Sequence, residues 1–278
     1  YKLTGHGGAV AFDVGASECD ITNSVFINNY ARRDGGAINF ATGSLNNTVE
    51  YSNFTNNSCG DDGGAINWEG DLGHVIHIIC YNNTAVAYND EVTGASTSKG
   101  GIICLTGDNV TIANSKFELG AVLFKAGKLN ETDGGALFVT GDYSTISNST
   151  FIDCTAPNKA GAIMVIGEHT TIEDSLFMRN RAGGPTAGQG GAIYWQGNHG
   201  KIHNMTGLIN IAVGGPGDTK GGNIFISGSD VVIEECEFAE SKSSSIGETQ
   251  GRPTPEQANA DGFINIPDGV EDEGLPFN

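Results

Sequence analysis

One short phrase, a glycine pair followed by a small and then a branched aliphatic residue, recurs along the chain. It reads GGAV at Gly7, GGAI at Gly35 and Gly63, GGII at Gly100, GGAL at Gly134, AGAI at Ala160, GGAI at Gly190 and GGNI at Gly221. Self-similarity at a spacing of about 26–37 residues is the mark of a repeat architecture, and it limits the fold before any other property is considered. A second phrase lies between the copies: ITNSVFINN at Ile21, VEYSNFTNN at Val49, VTIANSKF at Val110, ISNSTFIDC at Ile146, IEDSLFMRN at Ile172, IHNMTGLIN at Ile202 and IEECEFAES at Ile233. The third copy, HIICYNN at His77, is degraded. Length variation is confined to the stretch between the second phrase and the next glycine pair. Each unit therefore reads as a coil of short strands and tight turns in which one turn can grow.

Stacked coils place equivalent residues over one another, about 4.8 Å apart. Two residues after the second glycine stand Val10, Ile38, Ile66, Ile103, Leu137, Ile163, Ile193 and Ile224; two further on stand Phe12, Phe40, Trp68, Leu105, Val139, Val165, Trp195 and Ile226. A spacing of two on a strand means one shared face, so both columns point into a core. Phe26, Phe54, Phe117, Phe151, Phe177 and Phe238 supply a third column. The expected fold is all-β, a right-handed parallel β-helix of about eight coils in the pectin-lyase-like solenoid class. Its corners are expected to use glycine for positive φ or for close approach of the next coil. Asn23, Asn114, Asn148 and Asn204, with Asp174, mark one corner, and Asn29, Asn57, Asn83, Asn180 and Asn210 mark another, where stacked amides can satisfy each other.

Composition supports this reading. Forty-two glycines in 278 residues argue against long helices, whereas 38% hydrophobic residues, regularly placed, argue against disorder. The net charge of −19 repels phosphate backbones and anionic lipid, so neither nucleic acid nor direct membrane insertion is an expected partner. No apolar run reaches 18 residues, and the chain reads as a processed or excised piece. The helix is expected over residues 1–246. Residues 247–278 form an acidic tail containing proline and glycine, a linker or cap able to pack back on the helix. Six cysteines (Cys19, Cys59, Cys80, Cys104, Cys154, Cys236) lack any CxxC spacing and read as packing residues, with one or two disulfides between coils as the alternative.

The paired phrases, GGA with Ile, Leu or Val and then FxxN, resemble the repeats of two groups of surface proteins. These are the adhesin-like proteins of methanogenic archaea, whose coils resemble GGAIYWQGNHGKIHN (Gly190 to Asn204), and the chlamydial polymorphic membrane proteins, which are autotransporter passengers. The resemblance covers about Gly7 to Phe238. It implies an extracellular, cell-surface module for adhesion or structure, not an enzyme, with partners that are a glycan or protein on another surface, or like subunits joined end to end. Eight NxS/T sequons, at Asn46, Asn53, Asn56, Asn82, Asn109, Asn130, Asn148 and Asn204, agree with that address. Corner asparagines followed by Ser or Thr would also generate sequons without any role for glycosylation.

The competing expectation is a polysaccharide-active β-helix of the pectate lyase or glycoside hydrolase kind. GHG at Gly5 to Gly7 and GDD at Gly60 to Asp62 resemble fragments of the polygalacturonase signature, but in reversed order and without its NTD and RIK phrases. A lyase needs calcium-binding carboxylates and a base on adjacent coils, and the five arginines, Arg32, Arg33, Arg179, Arg181 and Arg252, are widely separated. Arg33 instead aligns with Asp61 as an ion pair. No catalytic residue and no cofactor is expected, with one exception that concerns calcium. The residue before each glycine pair forms a column, His6, Asp34, Asp62, Lys99, Asp133, Lys159, Gln189 and Lys220, in which Asp34 and Asp62 are like-charged neighbours. With Asp61 beside them they form a candidate calcium site.

The position between the two core columns faces outward: Ala11, Asn39, Asn67, Cys104, Phe138, Met164, Tyr194 and Phe225. Its last four members, Phe138, Met164, Tyr194 and Phe225, form an apolar stripe and are the candidate contact residues for a glycan or protein. The chain itself is expected to cover the stripe, with Glu118–Asp133 or the GFINIP run at Gly262–Pro267 lying over it; a stripe left bare would be a binding site.

Overall fold

The computed structural model describes residues 5–87, 97–124, 132–184, 188–214 and 219–245. The chain divides after Gly247; the second unit, Glu248–Asn278, which includes GFINIP, lies outside the described residues, as do residues 125–131 of the Glu118–Asp133 insertion. Within the first unit the described residues contain strands and no helix, and the strands form four parallel sheets of eight strands each. Each coil contributes one short strand to each sheet, so the architecture is a parallel β-helix. The first sheet begins with Val10–Phe12 and Ile38–Phe40 and ends with Ile224–Ile226; the second runs from Asp20–Thr22 to Val232–Glu234. The third runs from Val25–Ile27 to Glu237–Ala239 and the fourth from Tyr30–Ala31 to Lys242–Ser245. A separate two-stranded pair joins Ser98–Lys99 to Thr132–Asp133.

The strand register reproduces the sequence columns. Val10, Ile38, Ile66, Ile103, Leu137, Ile163, Ile193 and Ile224 pair in succession, as do Phe12, Phe40, Trp68, Leu105, Val139, Val165, Trp195 and Ile226. Ile38, Ile66, Trp68, Ile103, Leu137, Ile163, Ile193 and Trp195 are all buried. In the third sheet Phe26, Phe54, Phe117, Phe151 and Phe177 share one line, with Cys80 taking the place of the missing ring in the degraded third coil and Gly207 in the seventh. Phe117, Phe151 and Phe177 stack with centroids 4.7–4.8 Å apart, the spacing of the strands themselves. A fully buried side chain of this size contributes roughly 1.5–3 kcal/mol, so the stacked columns constitute the main stabilising term.

The two glycines of each pair do different work. Gly35 has φ 66°, a left-handed conformation that the first glycine of the other pairs shares, with Ala160 taking it at φ 57°. Gly36 stands where a Cβ would run into the carbonyl oxygen of Gly64 and the backbone of Ser58 on the next coil. The first glycine supplies the turn and the second supplies room for the neighbouring coil.

The two asparagine columns also divide their tasks. Asn23, Asn114, Asn148, Asp174 and Asn204 have positive φ, and the same column forces that geometry on Tyr51, His77 and Glu235. Asn57, Asn83, Asn180 and Asn210 are instead buried rungs of an amide ladder. Asn57 donates its Nδ2 hydrogens to Asn83 Oδ1 (3.0 Å) and to the Phe26 carbonyl (3.0 Å); Asn180 does the same toward Asn210 Oδ1 (3.0 Å) and Phe151 (3.0 Å). A further corner consists of the buried serines Ser52, Ser115, Ser149 and Ser175, whose Oγ atoms accept a backbone N–H from the preceding coil. The repeat alignment did not single them out, because a serine beside a corner asparagine looks like any loop residue.

Candidate functional site

The structure brings Asp34, Asp61 and Asp62 together: one carboxylate oxygen from each lies within 4.8 Å of the others. Asp34 and Asp62 precede the glycine pairs of consecutive coils, so stacking alone sets them one above the other. Neighbouring groups orient the cluster. His6 Nδ1 lies 2.8 Å from Asp34 Oδ2, the Asp62 N–H donates to Asp34 Oδ1 (3.2 Å), and the Lys99 N–H donates to Asp62 Oδ1 (2.8 Å). Arg33 Nη2 meets Asp61 Oδ2 at 3.1 Å, the ion pair expected from alignment.

Burial is the first cause that pushes Asp62 from its ordinary 3.8 up to about 7, followed by repulsion from Asp61 and Asp34, with Lys99 pulling the other way. Burial also raises Asp34, with Asp61 adding to the shift, while the Asp62 N–H, His6 and Arg33 oppose it. A group with this balance takes up a positive charge, whether a proton or a cation. Calcium is compatible with an all-carboxylate donor set, but it takes six to eight oxygens, and several of those present already hold N–H groups. The three aspartates would hold one side of such an ion and use it as a brace between coils.

The outward column of the first sheet is not bare. Cys104, Phe138, Met164 and Tyr194 are buried at 2–6% exposure and Phe225 is half-buried; with Ala160 they form a second, smaller apolar cluster. Lysines from the column before the glycines reach over it: Lys99 Nζ lies 5.1 Å from the Phe138 ring centre, Lys159 Nζ 4.7 Å from Tyr194 and Lys220 Nζ 5.9 Å from Phe225. The column is covered, as expected, so an open contact stripe at Phe138, Met164 and Tyr194 is corrected; residues 125–131 and Gly262–Pro267, from the two segments expected to cover it, lie outside the described residues. The ammonium groups stand over the ring faces, and the candidate contact residues Phe138, Met164 and Tyr194 are buried.

Arg179 serves as a brace as well. Arg179 is bidentate to Asp153, Nε to Oδ1 at 2.8 Å and Nη2 to Oδ2 at 2.7 Å, far along the helix from Arg33. All six cysteines are free thiols in the structure. Burial drives the thiols of Cys59, Cys80 and Cys104 well above their usual range and that of Cys154 to about 12. Each stands in a packing column, which is the filler role expected of them. Seven of the eight sequon asparagines are described, and all seven are exposed; Asn130 lies outside the described residues.

The coils and their columns define a solenoid repeat protein, in which the interior is fixed by register and the outside is free to vary. Residues 23–41, running from the first FxxN phrase through GGAINF, match the Chlamydia polymorphic membrane protein (Chlamydia_PMP) repeat. That repeat is associated with outer-surface proteins, and with the parallel β-helix it suggests a surface, passenger-like module. The match falls on one of the two groups the sequence resembles, the chlamydial one, and covers less than one coil. No curated protein and no solved structure matches the chain.

Proposed function

We propose that this chain is an extracellular, adhesin-like β-helix module that acts by contact with glycans, proteins or neighbouring subunits rather than by chemistry. The observation that carries this reading is the coincidence of the surface-protein repeat at residues 23–41 with a scaffold whose charged groups pair off along the coils. Arg33 with Asp61 and Arg179 with Asp153 are each spent within the stack. The test is a cell-binding and glycan-array screen of the intact chain; saturable binding to a cell surface or glycan class supports the reading, and none in either format overturns it.

A polysaccharide-active β-helix is the second reading, favoured by the three carboxylates that converge beside Arg33. The net charge of −19 weighs against a polyuronate substrate. Turnover of polygalacturonate in calcium, followed by ultraviolet absorbance of unsaturated products, separates the two: product formation that Asp62→Asn abolishes would establish the enzyme.

A further inference from the structure

The seven described sequons are not equivalent. Asn46, Asn56, Asn82, Asn109, Asn148 and Asn204 all sit at corners with φ between 44° and 55°, where asparagine is favoured for its tolerance of the left-handed conformation. Several also work in side-chain ladders: Asn82 donates to Asn56 Oδ1, Asn148 to Asn114 Oδ1 and Asn204 to Asp174 Oδ1. The scaffold accounts for asparagine at those six positions without any modification. Asn53 is different. It lies within the strand Asn53–Thr55, has no positive φ, and makes no side-chain hydrogen bond among the described residues.

Its surroundings are unusual too. Asn53 and Thr55 point outward on the third sheet while Phe54 between them enters the core, so the acceptor amide and the sequon hydroxyl share one open face. Val25 and Ile79 flank Asn53 in register, and Ile27 and Tyr81 flank Thr55. These four neighbours are exposed at 62%, 51%, 54% and 44%. Together they form a contiguous apolar patch of the kind that soluble proteins normally cover. An asparagine with a free amide stands at its centre, in a column whose flanking members are valine and isoleucine.

We propose that Asn53 is an N-glycan acceptor and that its sugar chain covers the patch formed by Val25, Ile27, Ile79 and Tyr81. In the transfer, Asn53 Nδ2 attacks the anomeric carbon of an oligosaccharide carried on a polyprenyl phosphate lipid. The C–O bond to phosphate breaks, the N–C bond forms, and the amide gives up one proton to the transferase. The glycan lies over the aliphatic side chains with its C–H faces inward and its hydroxyls in water, whereas a dry peptide there would leave its backbone groups unpaired. This rests on the reading that the chain is exported.

The experiment secretes the full chain from an N-glycosylating host. Site occupancy is mapped by glycosidase treatment in heavy-oxygen water with peptide mass spectrometry, and hydrophobic-dye binding is measured on the intact protein. Asn53 is expected to be occupied. Asn53→Gln and Thr55→Ala, both at outward positions, should lose the same glycan and bind several-fold more dye, while Thr48→Val, which removes the Asn46 sequon, should leave dye binding unchanged. An unmodified Asn53 peptide overturns the proposal, as does a glycan whose loss in both variants leaves dye binding and oligomeric state as in the parent. Antibody labelling of intact cells that make the protein natively tests export separately, so failure there counts against the surface reading and not against the acceptor site.

Discussion

Replacing Asp62 with asparagine should make the protein more stable, and only above acidic pH. Asp62 is raised from 3.8 to about 7 in the folded state, chiefly by burial and then by Asp61 and Asp34. The folded chain therefore holds a proton there more tightly than the unfolded chain does. Stability is highest below about pH 4, where both states are protonated, falls as the pH rises from about 4 to about 7, and levels off beyond. A rise of about three units corresponds to at most about 4 kcal/mol of lost stability on the alkaline side. Asparagine keeps an Oδ1 that can accept the Lys99 N–H, now at 2.8 Å, but cannot ionise. At pH 8 the variant should therefore exceed the parent by up to about 4 kcal/mol, or about 2–4 °C in Tm for each kcal/mol in a chain of this size. At pH 4 the two should coincide. Because 33 acidic residues give the parent a pH slope of their own, the readout is the difference between the two proteins, taken from thermal melts by circular dichroism at matched low salt. A difference that is flat with pH, or a variant less stable than the parent at pH 8, would refute the reasoning.

Other outcomes can be checked on the same protein. Millimolar calcium should raise the Tm of the parent at pH 8 more than at pH 5, where protons compete, and should have little effect on Asp62→Asn; equal shifts in both proteins would remove the ion from the aspartate cluster. Gly36→Ala should prevent the coils from closing, because the added Cβ meets the Gly64 carbonyl, whereas Gly15→Ala has open space and should cost about 1 kcal/mol for its φ of 84°. Denaturant unfolding compares the two. Asn180→Ala orphans the buried Cys154 N–H and removes the amide donor to the Phe151 carbonyl, and should lose about 1–3 kcal/mol, clearly more than Asn204→Ala at its exposed corner.

The register of the coils was legible because every repeat carries its own alignment marks: once Gly36 is matched to Gly64, Ile38 must fall on Ile66 and Asp34 on Asp62. The candidate cation site followed from that offset alone. Cover over the outward column was legible, but not the lysines above its rings, since Lys99, Lys159 and Lys220 belong to a different column and the sequence does not say which way a long side chain bends. Nor were several corner residues. Tyr51, His77, Tyr143, His169 and His199 have positive φ that no residue preference would assign to them. The coils above and below hold that geometry, and the rings gain by stacking 4.7–5.0 Å apart. The split of the sequons into six scaffold corners and one strand position likewise needed backbone angles.

The buried amide ladder makes the rod a one-way object. From side chain to side chain the donation runs one way, Asn29 to Asn57, Asn57 to Asn83 and Asn180 to Asn210, each from the earlier coil to the later, while the second amide hydrogen of Asn57 and Asn180 returns to a backbone carbonyl of the coil before. The two ends of such a stack differ in kind, one offering hydrogen and the other oxygen. Any coil that joins it, from the same chain or another, fits in a single orientation, so lengthening by duplication preserves direction while an inverted joint sets donor against donor.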